Sequence, residues 1–157
     1  MSPSYAWFLF VHVTAALWLA AGVFGSTVVR AQGKRSSALA ERALALRLLW
    51  RLHVIFTLPG MLAAGLLGFY LVTAGGFRFN ELWVMLASML YLLMFLSTLF
   101  LVTPGLSRQR AAAVKVGLDS EAVARFDQVA AQRLPGMLSD VNALILLIMV
   151  GLMVVKP

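Results

Sequence analysis

The sequence predicts an all-α polytopic membrane protein: a four-transmembrane-helix bundle with both termini outside. Three observations carry that reading. The 157-residue chain is 62% hydrophobic and only 12% charged, with a mean hydropathy of +0.92, whereas globular domains are about 45–50% apolar and about 25% charged. Its apolar residues gather into four stretches, each long enough to cross a hydrocarbon core of about 30 Å. The basic residues are distributed unevenly between the stretches, which sets orientation.

The first span is Trp7 to Val29, 23 residues whose only ionisable side chain is His12. At about 1.5 Å per residue it covers about 34 Å. No basic cluster precedes it, and it exceeds a signal-peptide h-region of about 7–15 residues, so it reads as a retained span. The connection at 30–52 holds Gly33, Lys34 and Arg35, then a helical pattern for which Ser36 or Ser37 supplies the N-cap. No breaker follows before Pro59, so this segment is expected to run into the second span as one long helix.

The second span, about 53–73, contains Pro59-Gly60, where the missing N–H invites a kink. Gly60, Ala64 and Gly68 recur every four residues and form a small-residue face for close helix packing. Gly75-Gly76 mark a tight turn. The third span, about 82–103, ends at Pro104-Gly105, read as a stop signal. In the connection at 104–135, Val123, Phe126, Val129 or Ala130, and Leu134 share one side of a helix. That amphipathic segment, 119–133, either lies on the membrane surface or covers the inner end of the bundle. The fourth span is about 136–155, and the whole chain forms one membrane domain.

Of 13 Lys and Arg, six fall in the first connection (Arg30, Lys34, Arg35, Arg42, Arg47, Arg51) and five in the second (Arg108, Arg110, Lys115, Arg125, Arg133). Only Arg78 and Lys156 lie on the other side. This bias places both long connections in the cytoplasm and both termini on the periplasmic or external side of a bacterial inner membrane. Tyr5, Trp7, Phe77, Phe79 and Trp83 form an outer aromatic belt, with Trp50 near the inner interface. The net charge of +7 is therefore a topology signal and not a nucleic-acid surface.

The chain has no cysteine, which excludes disulfides, thioether-linked haem, iron–sulfur clusters and thiolate zinc sites. Of its two histidines, His12 lies about 9 Å outward of mid-span and His53 about 15 Å inward, on the helical rise of about 1.5 Å per residue. They cannot ligate one haem between them. His12 remains a cofactor-ligand candidate, or an imidazole bonded to a neighbouring helix; Ser88, Tyr70, Asn80 and Glu81 are its partners by depth. Asp140 is the one carboxylate well inside a span. It is expected to pair with His53 or Arg51, with Asn142 assisting. Met61, Met85, Met89, Met94, Met137, Met149 and Met153 read as apolar filler and not as a copper path. Nothing resembles a nucleophilic triad or a phosphate-binding glycine loop.

The segments FVHVTAALWLAAGVF and RLHVIFTLPGMLAAGLLGFYLV, with the ending MVVKP, resemble a bacterial family of predicted four-span integral membrane proteins. A fainter likeness connects the chain to HemJ-type protoporphyrinogen oxidases and CopD-type copper proteins. That likeness implies that His12 matches a haem-associated histidine. The HemJ pattern also has a lysine near the start of the third span, where this chain has Leu82-Trp83-Val84-Met85, so oxidase activity is not implied.

Two functional expectations follow. One is a membrane protein binding a b-type haem, porphyrin or metal through His12. The other is a non-catalytic accessory or assembly subunit of a larger membrane complex, or a homo-oligomer, with the lipid bilayer as its constant partner. A transporter is less well matched, because few polar groups line the spans and no internal repeat is apparent.

Overall fold

A computed structural model describes residues 3–116 and 120–155. Asp119 and Lys156, invoked above, lie outside that range. Among the described residues all regular structure is helical: α1 (Pro3–Arg35), α2 (Leu39–Leu52), α3 (Leu58–Ala74), α4 (Leu82–Ser97), α5 (Thr103–Lys115), α6 (Ser120–Ala130) and α7 (Leu134–Val155). Four helical units are long and apolar enough to cross a membrane. Their lipid-facing sides carry exposed residues such as Leu66 and Val154, the inverse of a soluble protein's patterning.

Helices α2 and α3 form one continuous rod, Leu39–Ala74, as the absence of a breaker before Pro59 predicts. The expected serine cap is replaced. Ala38 is the N-cap and makes no side-chain cap bond; the Ser36 hydroxyl instead accepts the Ala38 N–H and donates to the Glu41 carboxylate. The rod accommodates its proline through a π-helical turn, His53–Thr57, in which the Leu58 N–H reaches back to the His53 carbonyl. Widening the turn puts the proline where the ladder changes register, and its missing N–H leaves the Ile55 carbonyl without a helical donor.

The same device overturns the stop expected at Pro104-Gly105. A second π-helical turn, Thr98–Val102, precedes the proline, and the helix continues from Leu82 to Lys115. Thr103 supplies both its N–H and its hydroxyl, at 2.8 Å, to the Thr98 carbonyl. Pro104 follows the widened turn directly, so its missing N–H falls where the ladder passes from π to α register.

Helix α1 packs most extensively against α3, and glycines permit it. A Cβ on Gly60 would lie 2.6 Å from the Leu19 backbone nitrogen, and one on Gly22 would lie 2.7 Å from the Thr57 nitrogen. The main core joins Leu19, Val23, Met61, Met94, Leu146 and Met149 across all four spans. At the end carrying the basic connections, Phe126 of α6 is wholly buried against Ala43, Ala112 and Ala113. Of the two placements open for the amphipathic helix, α6 takes the second: it caps this basic end. Leu134 does not join it and stays exposed. The opposite end closes with the turn at Gly75 and Gly76, the latter at φ +74°, a conformation glycine adopts without strain.

Candidate functional site

His12 is drawn inward because α1 presents it on the side that packs against the small-residue face of α3. A Cβ on Gly68 would lie 3.2 Å from its Cε1, so glycine there makes room for the ring. The imidazole is 9% exposed. The Ala64 backbone faces the ring, and Nδ1 is buried with no hydrogen-bond partner among the described residues. In either tautomer that atom holds an unused donor or an unused lone pair. An unpaired buried polar atom costs about 1–3 kcal/mol, a cost the site bears where packing alone would favour an apolar residue.

The ring lines a cavity of about 380 Å³ between α1, α3, α4 and α7, in the half of the bundle nearer the Gly75–Gly76 turn. Its walls include Phe69, Trp83, Tyr91, Met94, Met149 and Met153. The size falls in the range of ligand pockets, about 300–1,000 Å³, and the chemistry matches them: mostly apolar walls with a few polar groups. Tyr91 donates its hydroxyl to the Met61 carbonyl at 3.0 Å, and its ring lies over Gly65 so closely that a Cβ there would be 2.1 Å from the oxygen. Gly65 lies about 100° around the helix from the Gly60, Ala64 and Gly68 face, so its contact with Tyr91 has no mark in the four-residue spacing of small residues.

None of the partners expected for His12 binds it. Ser88 lines the same cavity without a hydrogen bond to the ring, and Tyr70 packs on Phe8 at 4.3 Å between ring centres. Glu81 is committed to the turn, accepting from the Arg78 N–H at 2.8 Å and from Trp83 Nε1 at 2.9 Å. Among the described residues, Asn80 makes no bond to His12 either.

His53 belongs to a separate place. Its Nε2 meets Thr103 Oγ1 at 2.8 Å, and its ring joins Ser26, Thr57, Thr98, Ser139 and Asn142 around a space of about 10 Å³, too small for an organic ligand. Asn142 donates to Thr98 Oγ1 at 3.0 Å and accepts from the Ser97 hydroxyl at 2.9 Å. This network satisfies the polar atoms around the two π-helical turns and locks α7 to the third span. The two histidines open on different spaces, in line with the depth separation inferred from sequence.

The expected pairing of Asp140 with His53 or Arg51 is not the one formed. Arg30, from the end of α1, donates Nη1 to Asp140 Oδ1 at 3.0 Å and to the Gly136 carbonyl at 2.9 Å. The continuous α2–α3 rod explains the error: His53 lies on its bundle-facing side toward Thr103, and Arg51 faces outward, whereas α1 and α7 are adjacent. Among the described residues no three His, Cys, Asp or Glu cluster as a metal site would require.

Four apolar crossings with exposed hydrophobic flanks define an integral membrane protein. Residues 7–157 match the family described as "Predicted integral membrane protein (DUF2269)", and the chain belongs to that family. No curated protein and no solved structure matches the chain.

Proposed function

We propose that the chain binds a b-type haem or related porphyrin in the cavity beside His12, which would hold the group through its imidazole. The supporting observation is the buried, unpartnered Nδ1 on the wall of a largely apolar space of about 380 Å³. The residues fit such a group: an orphaned base, a glycine at 68 that leaves room beside it, and flat-packing apolar walls. The thioethers of Met149 and Met153 line the same cavity and offer soft ligands of the kind that raise a haem potential. Bound haem iron would supply one-electron chemistry; the protein would hold the ring, exclude water and set its axial field. The charge bias of the connections supports a bacterial cytoplasmic membrane with the basic end inside, which puts this cavity in the outer half.

The test is the absorbance spectrum of detergent-purified protein, as isolated and after titration with haem. A Soret band that forms in the wild type and is lost in His12→Ala supports the reading, provided the variant keeps its helical circular dichroism. Unchanged haem uptake in His12→Ala sinks it. A colourless protein that takes up no haem and co-purifies with a larger assembly would favour the accessory-subunit reading instead.

A further inference from the structure

The basic end of the bundle contains a second cavity, about 620 Å³, whose walls include Arg30, Lys34, Arg42, Arg133, Gln109 and Phe126. Four cations therefore line one half-open space, Arg30 and Lys34 from α1, Arg42 from α2 and Arg133 just before α7, with Lys34 and Arg133 exposed to solvent. Like charges so placed repel one another unless something compensates them. The carboxylates bonded to its lining residues are already engaged: Asp140 by Arg30, Asp127 by Arg42, and Glu41 by Ser36. Lys34 and Arg133 form no ion pair among the described residues.

Arg30 is the informative member. Its side chain is only 11% exposed, and Nη1 carries both of its bonds, while Nη2 is buried with no partner. A planar guanidinium with one nitrogen spent and the other unspent is half of a bidentate oxyanion contact. Arg42 is held rigid over the Phe126 ring at 5.3 Å and by its 3.0 Å pair with Asp127. The remaining walls mix polar Ser36, Gln109 and Gln132 with apolar Leu46, Leu49 and Phe126. Cations set among polar and apolar groups at the basic end suit an anion at the membrane interface.

We propose that this cavity binds a phosphate group, with the Arg30 guanidinium, Lys34 and Arg133 as its contacts. The phosphate of an anionic phospholipid headgroup and free inorganic phosphate share that chemistry. The inference is independent of the His12 reading, since the two cavities have no lining residue in common.

The experiment measures thermal unfolding of the full chain in two arms. One compares nanodiscs of phosphatidylcholine with nanodiscs containing a minor fraction of phosphatidylglycerol. The other uses phosphatidylcholine nanodiscs and exchanges sodium chloride for sodium phosphate at equal ionic strength. At saturation a rise in Tm of roughly 5 °C is expected in at least one arm; a rise with lipid alone identifies the headgroup, and a rise with phosphate as well identifies the free anion. The double variant Lys34→Ala/Arg133→Ala should lose the rise, and Lys34→Arg/Arg133→Lys should keep it. Arg108→Ala/Arg125→Ala removes the same charge from exposed positions outside the cavity and should also keep it. No rise in either arm overturns the proposal, as does an equal loss in the Arg108/Arg125 variant, which would mark a general surface-charge effect.

Discussion

Trp18 of α1 donates its indole N–H to the carbonyl of Ile55 at 2.9 Å, the residue four before Pro59 and therefore the one whose helical donor the proline removes. A second helix thus completes the backbone of the first, with the indole stacked on Phe56 at 4.8 Å. Trp18→Phe keeps most of the packing and loses the bond, so it should cost about 0.5–1.5 kcal/mol. In a Pro59→Ala background the helix supplies its own N–H, and the same substitution should cost far less. Equal costs in the two backgrounds, measured by reversible unfolding in mixed detergent, would show that the proline does not create the need for the indole.

The Arg30–Asp140 pair is asymmetric, with side chains 11% and 57% exposed. Arg30→Met leaves a carboxylate that can turn to water, and its expected cost is under about 1 kcal/mol. Asp140→Asn leaves a largely buried guanidinium without its counter-charge and should cost more, about 1–3 kcal/mol. The reverse order in an unfolding titration would mean that the pair behaves as a surface contact.

Gly60 and Gly151 should respond oppositely to alanine. At Gly60 the new methyl would lie 2.6 Å from the Leu19 nitrogen and 2.8 Å from its Cα, backbone that cannot rotate away, so about 1–3 kcal/mol of destabilisation is expected. At Gly151 nothing lies within 4 Å, and alanine should be neutral or slightly stabilising. Similar unfolding midpoints for the two variants would contradict the close α1–α3 approach.

Phe126 is 0% exposed and carries the attachment of α6. Phe126→Ala should cost about 3–5 kcal/mol, concentrated in the cap and not in the spans. Hydrogen exchange should then rise across α6 and at Ala112 and Ala113 while α7 stays protected. Uniform loss of protection would mean that cap and spans unfold as one unit.

The absence of cysteine allows single thiols to report topology without background. In intact cells a membrane-impermeant maleimide should label Asn80→Cys, at the Gly75–Gly76 end, and leave Arg125→Cys unlabelled until the membrane is opened. The opposite pattern would invert the proposed orientation.

The four spans were legible because length and hydropathy suffice to specify a crossing, and the position of His12 in a small-residue setting was legible from its neighbours. The continuation through Pro104 was not. A proline reads locally as a break, and the compensation lies in a π-helical turn that adds a residue without any fixed sequence mark. Each such turn also rotates the face that follows it by about 100° relative to a regular helix. Residues grouped by a constant period across His53–Thr57 are therefore grouped wrongly, whereas depth alone, which matches Arg51 and His53 to Asp140, does not say which side of the rod each one faces. The choice of Arg30 instead depends on which helices are neighbours, which a single sequence does not encode locally.

Leu39–Ala74 spans 36 residues, about 54 Å of unbroken rod against a hydrocarbon core of about 30 Å. Leu82–Lys115 is nearly as long. With the spans bounded at about 53–73 and 82–103 as hydropathy predicts, the helices end within a few residues of the span at the turn end and run well beyond it at the basic end. The two ends therefore meet hydrophobic mismatch differently. A thicker or thinner bilayer can slide its boundary along the rods at the basic end without converting helix to loop, so adjustment to membrane thickness falls on that side and leaves the geometry around His12 undisturbed.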